Sequence, residues 1–140
     1  MSELIRFGVS IDKALLGKFD KLIKDRKYSN RSEAFRDLIR KDLVVQEWTA
    51  GKEVAGAITL IYDHHKSDLV NKLIEVQHDK DFSQLVICSQ HIHIDHHNCL
   101  EIITVKGSPK KIRMLSDKLK ATKGVKHGDL TMTTTGKDMR

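Results

Sequence analysis

Two α+β units in tandem are what this sequence predicts: a β-α-α piece in front and a β-α-β-β-α-β, ferredoxin-like piece behind it. Three observations carry that expectation. The opening residues alternate apolar and polar, two amphipathic helical stripes follow, and from Val54 onward short apolar runs alternate with helical stripes. At 140 residues and 39% hydrophobic, the chain holds material for one domain or two small ones.

The first strand rests on period two. Ile5, Phe7, Val9 and Ile11 are apolar, with Arg6, Gly8 and Ser10 between them. Asp12 then stands as N-cap before Leu15, Leu16, Phe19, Leu22 and Ile23, which share one helical face. Arg26-Lys27-Tyr28-Ser29 breaks that helix. Asn30, with Glu33 three residues on, starts a second in a capping-box arrangement, and Ala34, Phe35, Leu38, Ile39 and Leu43 form its inner stripe. It is expected to run toward Trp48 and stop before Gly51. Such a unit buries too little surface to stand alone, and its single strand leaves both edges unpaired. A second copy of the chain cures both faults by strand pairing, so the unit is expected as a homodimer with an antiparallel two-stranded ribbon.

In the second unit, Val54 to Tyr62 reads as a buried strand, and Leu69, Val70, Leu73 and Ile74 as a helix. Leu85 to Ile94 and Cys99 to Val105 are strands joined by the turn Asp95-His96-His97-Asn98. Ser108 caps a last helix with Pro109 at its first position, where a missing N–H is harmless. Ile112, Leu115 and Leu119 line that helix, Gly124 ends it, and Val125 to Thr133 is the last strand. The expected division is 1–48, a linker at 49–53, a sheet-bearing domain at 54–134 and a frayed tail at 135–140.

Composition excludes several classes. No apolar run approaches the roughly 20 residues of a membrane span, and the opening Met-Ser-Glu-Leu-Ile-Arg lacks an apolar signal stretch. Two cysteines, Cys88 and Cys99, are too few for a disulfide scaffold, which points to a reducing cytoplasm. The net charge of +6 favours an anionic partner. A two-stranded ribbon fits the DNA major groove, and with Phe7, Val9 and Ile11 turned inward, Arg6, Gly8 and Ser10 face the bases. The Asn30-Arg31-Ser32 helix start offers N–H groups to a phosphate, with Arg31 and Arg36 adding salt-dependent attraction. The blander reading is a dimerisation module with a solvated basic face.

The densest chemistry is His91-Ile92-His93-Ile94-Asp95-His96-His97-Asn98-Cys99. On a strand His91 and His93 share a face, with Ile92 and Ile94 expected toward the core. Cys99 joins that face only if residue 93 pairs with 99, which demands an odd-numbered loop or a bulge. A plain two-residue turn would pair Ile94 with Cys99 and spoil the site. His78, ending the preceding helix, is the natural fourth ligand. Three imidazoles and a thiolate suit Zn²⁺ if tetrahedral and Ni²⁺ or Cu²⁺ if planar, and ligand identity alone does not choose. Cys88 reads as a small core residue, His96 and His97 as a solvated turn, His127 as structural or exposed, and Trp48 as packing at the junction. His64 and His65 are a candidate secondary metal pair, with plain exposure as the simpler reading. No general base stands out beside an open metal position, so an enzyme is not expected.

Taken together, Arg6-Phe7-Gly8-Val9-Ser10-Ile11, Asn30-Arg31-Ser32-Glu33-Ala34, Tyr62-Asp63-His64-His65, Gln77-His78, His91-Ile92-His93 and Asn98-Cys99-Leu100-Glu101 resemble the NikR-type nickel-responsive regulators over nearly the whole chain. The resemblance implies a ribbon-helix-helix DNA-binding domain joined to an ACT-like domain that assembles a homotetramer, a dimer of dimers. It implies Ni(II) held by His91, His93 and Cys99 of one subunit and His78 of a neighbour, with Glu101 supporting them. Glu33 and Asp37 match the family's low-affinity cation site. The implied action is nickel-dependent repression of nickel-uptake genes at a palindromic operator in double-stranded DNA. The alternatives are the same architecture sensing zinc or an amino acid, and a metal chaperone or metal-dependent enzyme without DNA function.

Overall fold

The computed structural model describes residues 3–139; Met1, Ser2 and Arg140, the ends of the expected first domain and tail, lie outside them. The elements run α1 (Lys13–Asp25), α2 (Arg31–Ala50), β1 (Val54–Asp63), α3 (Ser67–His78), β2 (Val86–His93), β3 (Asn98–Gly107), α4 (Pro109–Lys120) and β4 (Val125–Met132). Two compact units divide them, residues 3–43 with 138–139, and residues 44–137.

In the first unit the expected caps form. Asp12 Oδ1 accepts from the amides of Ala14 and Leu15 at 2.8 and 3.3 Å, and Asn30 Oδ1 accepts from the Glu33 amide at 2.8 Å. The capping box is completed on one side only, because the Glu33 carboxylate pairs with Arg36 and, at 3.8 Å, with Arg40. The expected strand at residues 5–11 is absent from this single chain. A strand exists only as one half of a ladder, and the chain offers this segment no second half. Its apolar residues stand in solvent, Ile5 at 80% and Val9 at 60% exposure, and only Phe7 finds an aromatic neighbour, edge-on to Phe35 at 5.7 Å.

In the second unit the β-α-β-β-α-β order closes into a four-stranded antiparallel sheet in the order β2-β3-β1-β4. Alternate residues of β1 (Val54, Ile58, Leu60, Tyr62) and of β3 (Cys99, Glu101, Ile103, Val105) are buried on one face. Leu69 and Leu73 of α3, and Ile112, Leu115 and Leu119 of α4, complete that core. α2 ends at Ala50, and Gly51 follows at φ +76°, where a Cβ would be strained. Thr49 and Ala50, placed in the expected linker, are helical. Trp48 is buried in the sheet-bearing unit and its indole N–H donates to the Thr133 carbonyl at 2.8 Å. The compact units therefore part at residues 43 and 44, within the helix. Beyond β4, Thr134 Oγ1 donates to the Glu47 carboxylate and accepts from the Gly136 amide.

Candidate functional site

The β2–β3 hairpin carries three of the expected metal ligands, and its register meets the condition set by strand geometry. His93 pairs with Cys99, Ile92 with Leu100 and His91 with Glu101. The loop that achieves this holds three residues, Asp95 to His97, between Ile94 and Asn98; the Ile94 amide donates to the Asn98 carbonyl at 3.0 Å. Asp95 builds the turn, its Oδ1 accepting from the amides of His97 and Asn98 at 2.9 and 2.7 Å. The Asn98 side-chain amide and those two backbone donors favour the carboxylate, so the Asp95 pKa falls to about 2.

This register puts His91 and His93 on the same face as Cys99 and Glu101, the face that carries the core. Ile92 and Ile94, expected inward, lie on the opposite face, 38% and 55% exposed. The reason is tertiary. β3 is committed by Cys99, Glu101, Ile103 and Val105 to the helix-covered side, and β2, paired to it, inherits the choice. Cys88 also departs from its expected place. It pairs with Thr104 on the open side, past an irregularity between Val86 and Cys88, and is exposed.

Glu101 is the centre of a buried network that spacing alone does not reveal. It is fully buried, and its carboxylate accepts from the Tyr62 hydroxyl at 2.6 Å, the Gln77 amide at 2.8 Å and the Ser89 hydroxyl at 2.8 Å. Three donors are what a buried carboxylate needs to offset its lost hydration. Burial and the neighbouring Glu101 carboxylate push the Tyr62 phenol well above its ordinary pKa, so it stays a donor. Because that proton goes to Glu101, the 3.1 Å contact between Tyr62 Oη and His91 Nδ1 has the imidazole as donor. His91 is thereby held in one tautomer, with Nε2 available to a metal. The donor set of His91, His93 and Cys99 therefore fits a borderline transition ion.

His78 is the last residue of α3, exposed, one position beyond the buried Gln77 that bonds Glu101. Among the described residues, neither the four expected nickel ligands nor the three on one hairpin, His91, His93 and Cys99, bring their ligand atoms into one close group. Asp63, His65 and His97 do: their ligand atoms all lie within 4.8 Å of one another. His97, expected as a solvated turn residue, is brought to the end of β1 by the pairing of Asp63 with Asn98. His64 adds no ligand atom to this group; its ring stacks on His93 at 4.1 Å and lies 4.1 Å from that of His65.

In the first unit, Arg6, Gly8, Ser10, Asn30, Arg31, Ser32 and Arg36 are all exposed. Two of the expected phosphate contacts already have partners. Arg31 makes a bidentate pair with Asp20, both bonds 2.9 Å, which holds the Asp20 carboxyl below the usual carboxylate range. Arg36 pairs with Glu33. Asp37, the other expected cation ligand, accepts from the Tyr28 hydroxyl and lies 3.3 Å from Lys41 Nζ. Those donors lower its pKa, Tyr28 more than Lys41.

Comparison with known proteins agrees with this division. The model described as the NikR C terminal nickel binding domain matches residues 55–133, and that of the ribbon-helix-helix proteins of the copG family matches residues 2–44. The chain belongs to the NikR family of nickel-responsive DNA-binding regulators. It is a regulator, not an enzyme. A protein of Syntrophus aciditrophicus described as "Putative nickel-responsive regulator" is 59% identical over 136 residues, covering 97% of this chain and 98% of that one. One of Pyrococcus horikoshii with the same description is 53% identical over 138 residues, covering 98% and 99%. Among solved structures, the uncharacterized protein TM1266 from Thermotoga maritima matches with a TM-score of 0.50 at 16% identity, over 57% of this chain and 96% of that one. That last likeness is one of fold. No helix among the described residues is long and apolar enough to cross a membrane.

Proposed function

We propose that this NikR-family protein represses nickel-uptake genes when Ni(II) is held by His91, His93 and Cys99 of one chain and His78 of a neighbouring copy. The observation that carries the reading is the pairing of His93 with Cys99, which sets two imidazoles and a thiol on one face of one hairpin. When bound, the ion supplies a cross-link between that hairpin and the α3 end of another copy. The chain's own residues tie those two parts together internally. Gln77, next to His78, bonds Glu101, and Glu101 orients Tyr62, which orients His91. Ordering either end through this relay favours ordering of the other, which shifts the population toward a DNA-competent conformer.

The reading includes a homotetramer, a dimer of ribbon dimers, and a palindromic operator. Two sets of exposed apolar residues support it: Ile5, Phe7, Val9 and Ile11 in front, and Ile92 and Ile94 on the open side of the sheet. Two ribbons on one assembly gain avidity from two half-sites. Arg6 and Ser10 read bases, and the start of α2 meets phosphate, with Arg31 and Arg36 exchanging their carboxylate partners for DNA. Glu33 and Asp37 serve a low-affinity cation on the same helix. The site needs reduced thiols, which suits the cytoplasm, and both cysteines are free.

Gel shifts with metal analysis and absorption spectroscopy on wild type and Cys99→Ala test the whole. One nickel per chain, a thiolate charge-transfer band absent from Cys99→Ala, and operator binding abolished by a chelator are expected. Specific binding that persists unchanged after chelation overturns the switch, and zinc binding without that band points to a zinc sensor.

A further inference from the structure

We infer that Asp63, His65 and His97 form a second metal site on each chain, separate from the nickel ligands, which takes a borderline divalent ion such as Zn²⁺ with three protein ligands and open positions for water. The ligand atoms of the three residues lie within 4.8 Å of one another. A first-row ion at about 2.0–2.2 Å from each ligand would draw them to roughly 3.4 Å, a small side-chain rotation for two exposed imidazoles. Two imidazoles and one carboxylate are a donor set for such ions and a poor one for Mg²⁺ or Ca²⁺.

The fold builds the cluster from two loops that it fixes independently. β1 ends at Asp63, whose Oδ1 accepts from the His65 amide at 2.9 Å and faces His65 Nδ1 at 3.2 Å, so carboxylate and ring are already oriented toward each other. His97 comes from the β2–β3 turn that Asp95 shapes. The two loops are joined by the His64 amide donating to the His97 carbonyl at 3.3 Å and by a 3.1 Å contact of His64 Nε2 with the His96 carbonyl.

Register separates this cluster from the nickel ligands. Tyr62 pairs with Cys99 on the core face, and the next pair, Asp63 with Asn98, lies on the other face. His64 lies between the two groups, its ring 4.1 Å from that of His93 and 4.1 Å from that of His65, whose Nδ1 faces Asp63. The assignment goes beyond the nickel-sensing role and does not depend on it.

The test is a Zn²⁺ titration against a competing chromophoric chelator, on chain preloaded with one equivalent of nickel and, in parallel, on Cys99→Ala. One further ion per chain is expected in both. His97→Ala and Asp63→Asn should each weaken that ion at least tenfold, with the nickel–thiolate band of the preloaded chain unchanged. His97→Ala that titrates like wild type overturns the site, as does loss of the second ion in Cys99→Ala. Failure of the nickel reading shows elsewhere, in a missing thiolate band, and leaves the titration of Cys99→Ala interpretable.

Discussion

The two units differ most in what they bury. Among residues 3–43 only Ala34 is buried, and Leu4, Ile5, Phe7, Val9, Leu15, Leu38 and Ile39 all face solvent. The sheet-bearing unit, little more than twice as long, holds a continuous core from Trp48 to Leu119 around four paired strands. A chain that leaves so much apolar surface in water on one side gains stability when that surface is covered. The sheet-bearing unit can fold from its own contacts. The front unit has its helices capped, while its segment 5–11 pairs with no other strand among the described residues.

The largest effect expected from this contrast is in the core. Leu60→Ala removes a fully buried side chain and should cost about 2–5 kcal/mol. A urea melt read at Trp48, the single tryptophan, reports on that unit directly. Phe7→Ala, by contrast, should leave the Trp48 melt within about 0.5 kcal/mol of wild type, while lowering specific DNA binding in a gel shift. Equal effects of the two substitutions on the Trp48 signal would break the comparison.

Next comes Tyr62→Phe, which keeps the ring and removes the hydroxyl between Glu101 and His91. Nickel affinity, measured by chelator competition, should fall roughly 10–100-fold, the usual effect of losing such a partner. Operator binding at saturating nickel should survive, because the ribbon is untouched.

The smallest effect tests the front unit's electrostatics. Asp20→Asn releases Arg31 from its bidentate pair. DNA affinity should rise about two- to fivefold with the salt slope unchanged, because Arg31 meets its phosphate without first giving up an exposed ion pair. Acid does the same to wild type, and the sign follows from the direction of the shift. The Asp20 pKa is depressed in the folded chain, so the pair is fully formed above the ordinary aspartate value and is lost as pH falls through the lowered one. Unchanged DNA affinity in Asp20→Asn would mean that Arg31 reaches no phosphate.

What was legible in advance was whatever depends on neighbours in sequence. Period and capping residues located the helices and strands from α1 to β4, and the helix carrying Leu69 to Ile74 ends at His78, as expected. The hairpin condition on His93 and Cys99 was also legible, since strand geometry alone demands it. The Glu101 network was visible only as one carboxylate near Cys99, with no hint of Gln77 or Ser89.

The sequence by itself therefore determined the order of elements, the caps at Asp12, Asn30 and Ser108, and the donor types available to a metal. Only the tertiary structure decided that His91 and His93 sit on the covered face, that α2 carries Trp48 into the second unit, and that Asp63 and His97 meet. The physical reason is range. Helical and strand periodicity are set within a few residues, whereas the face a strand presents and the loop it ends beside are set by partners 30 or more positions away, through pairings such as Asp63 with Asn98.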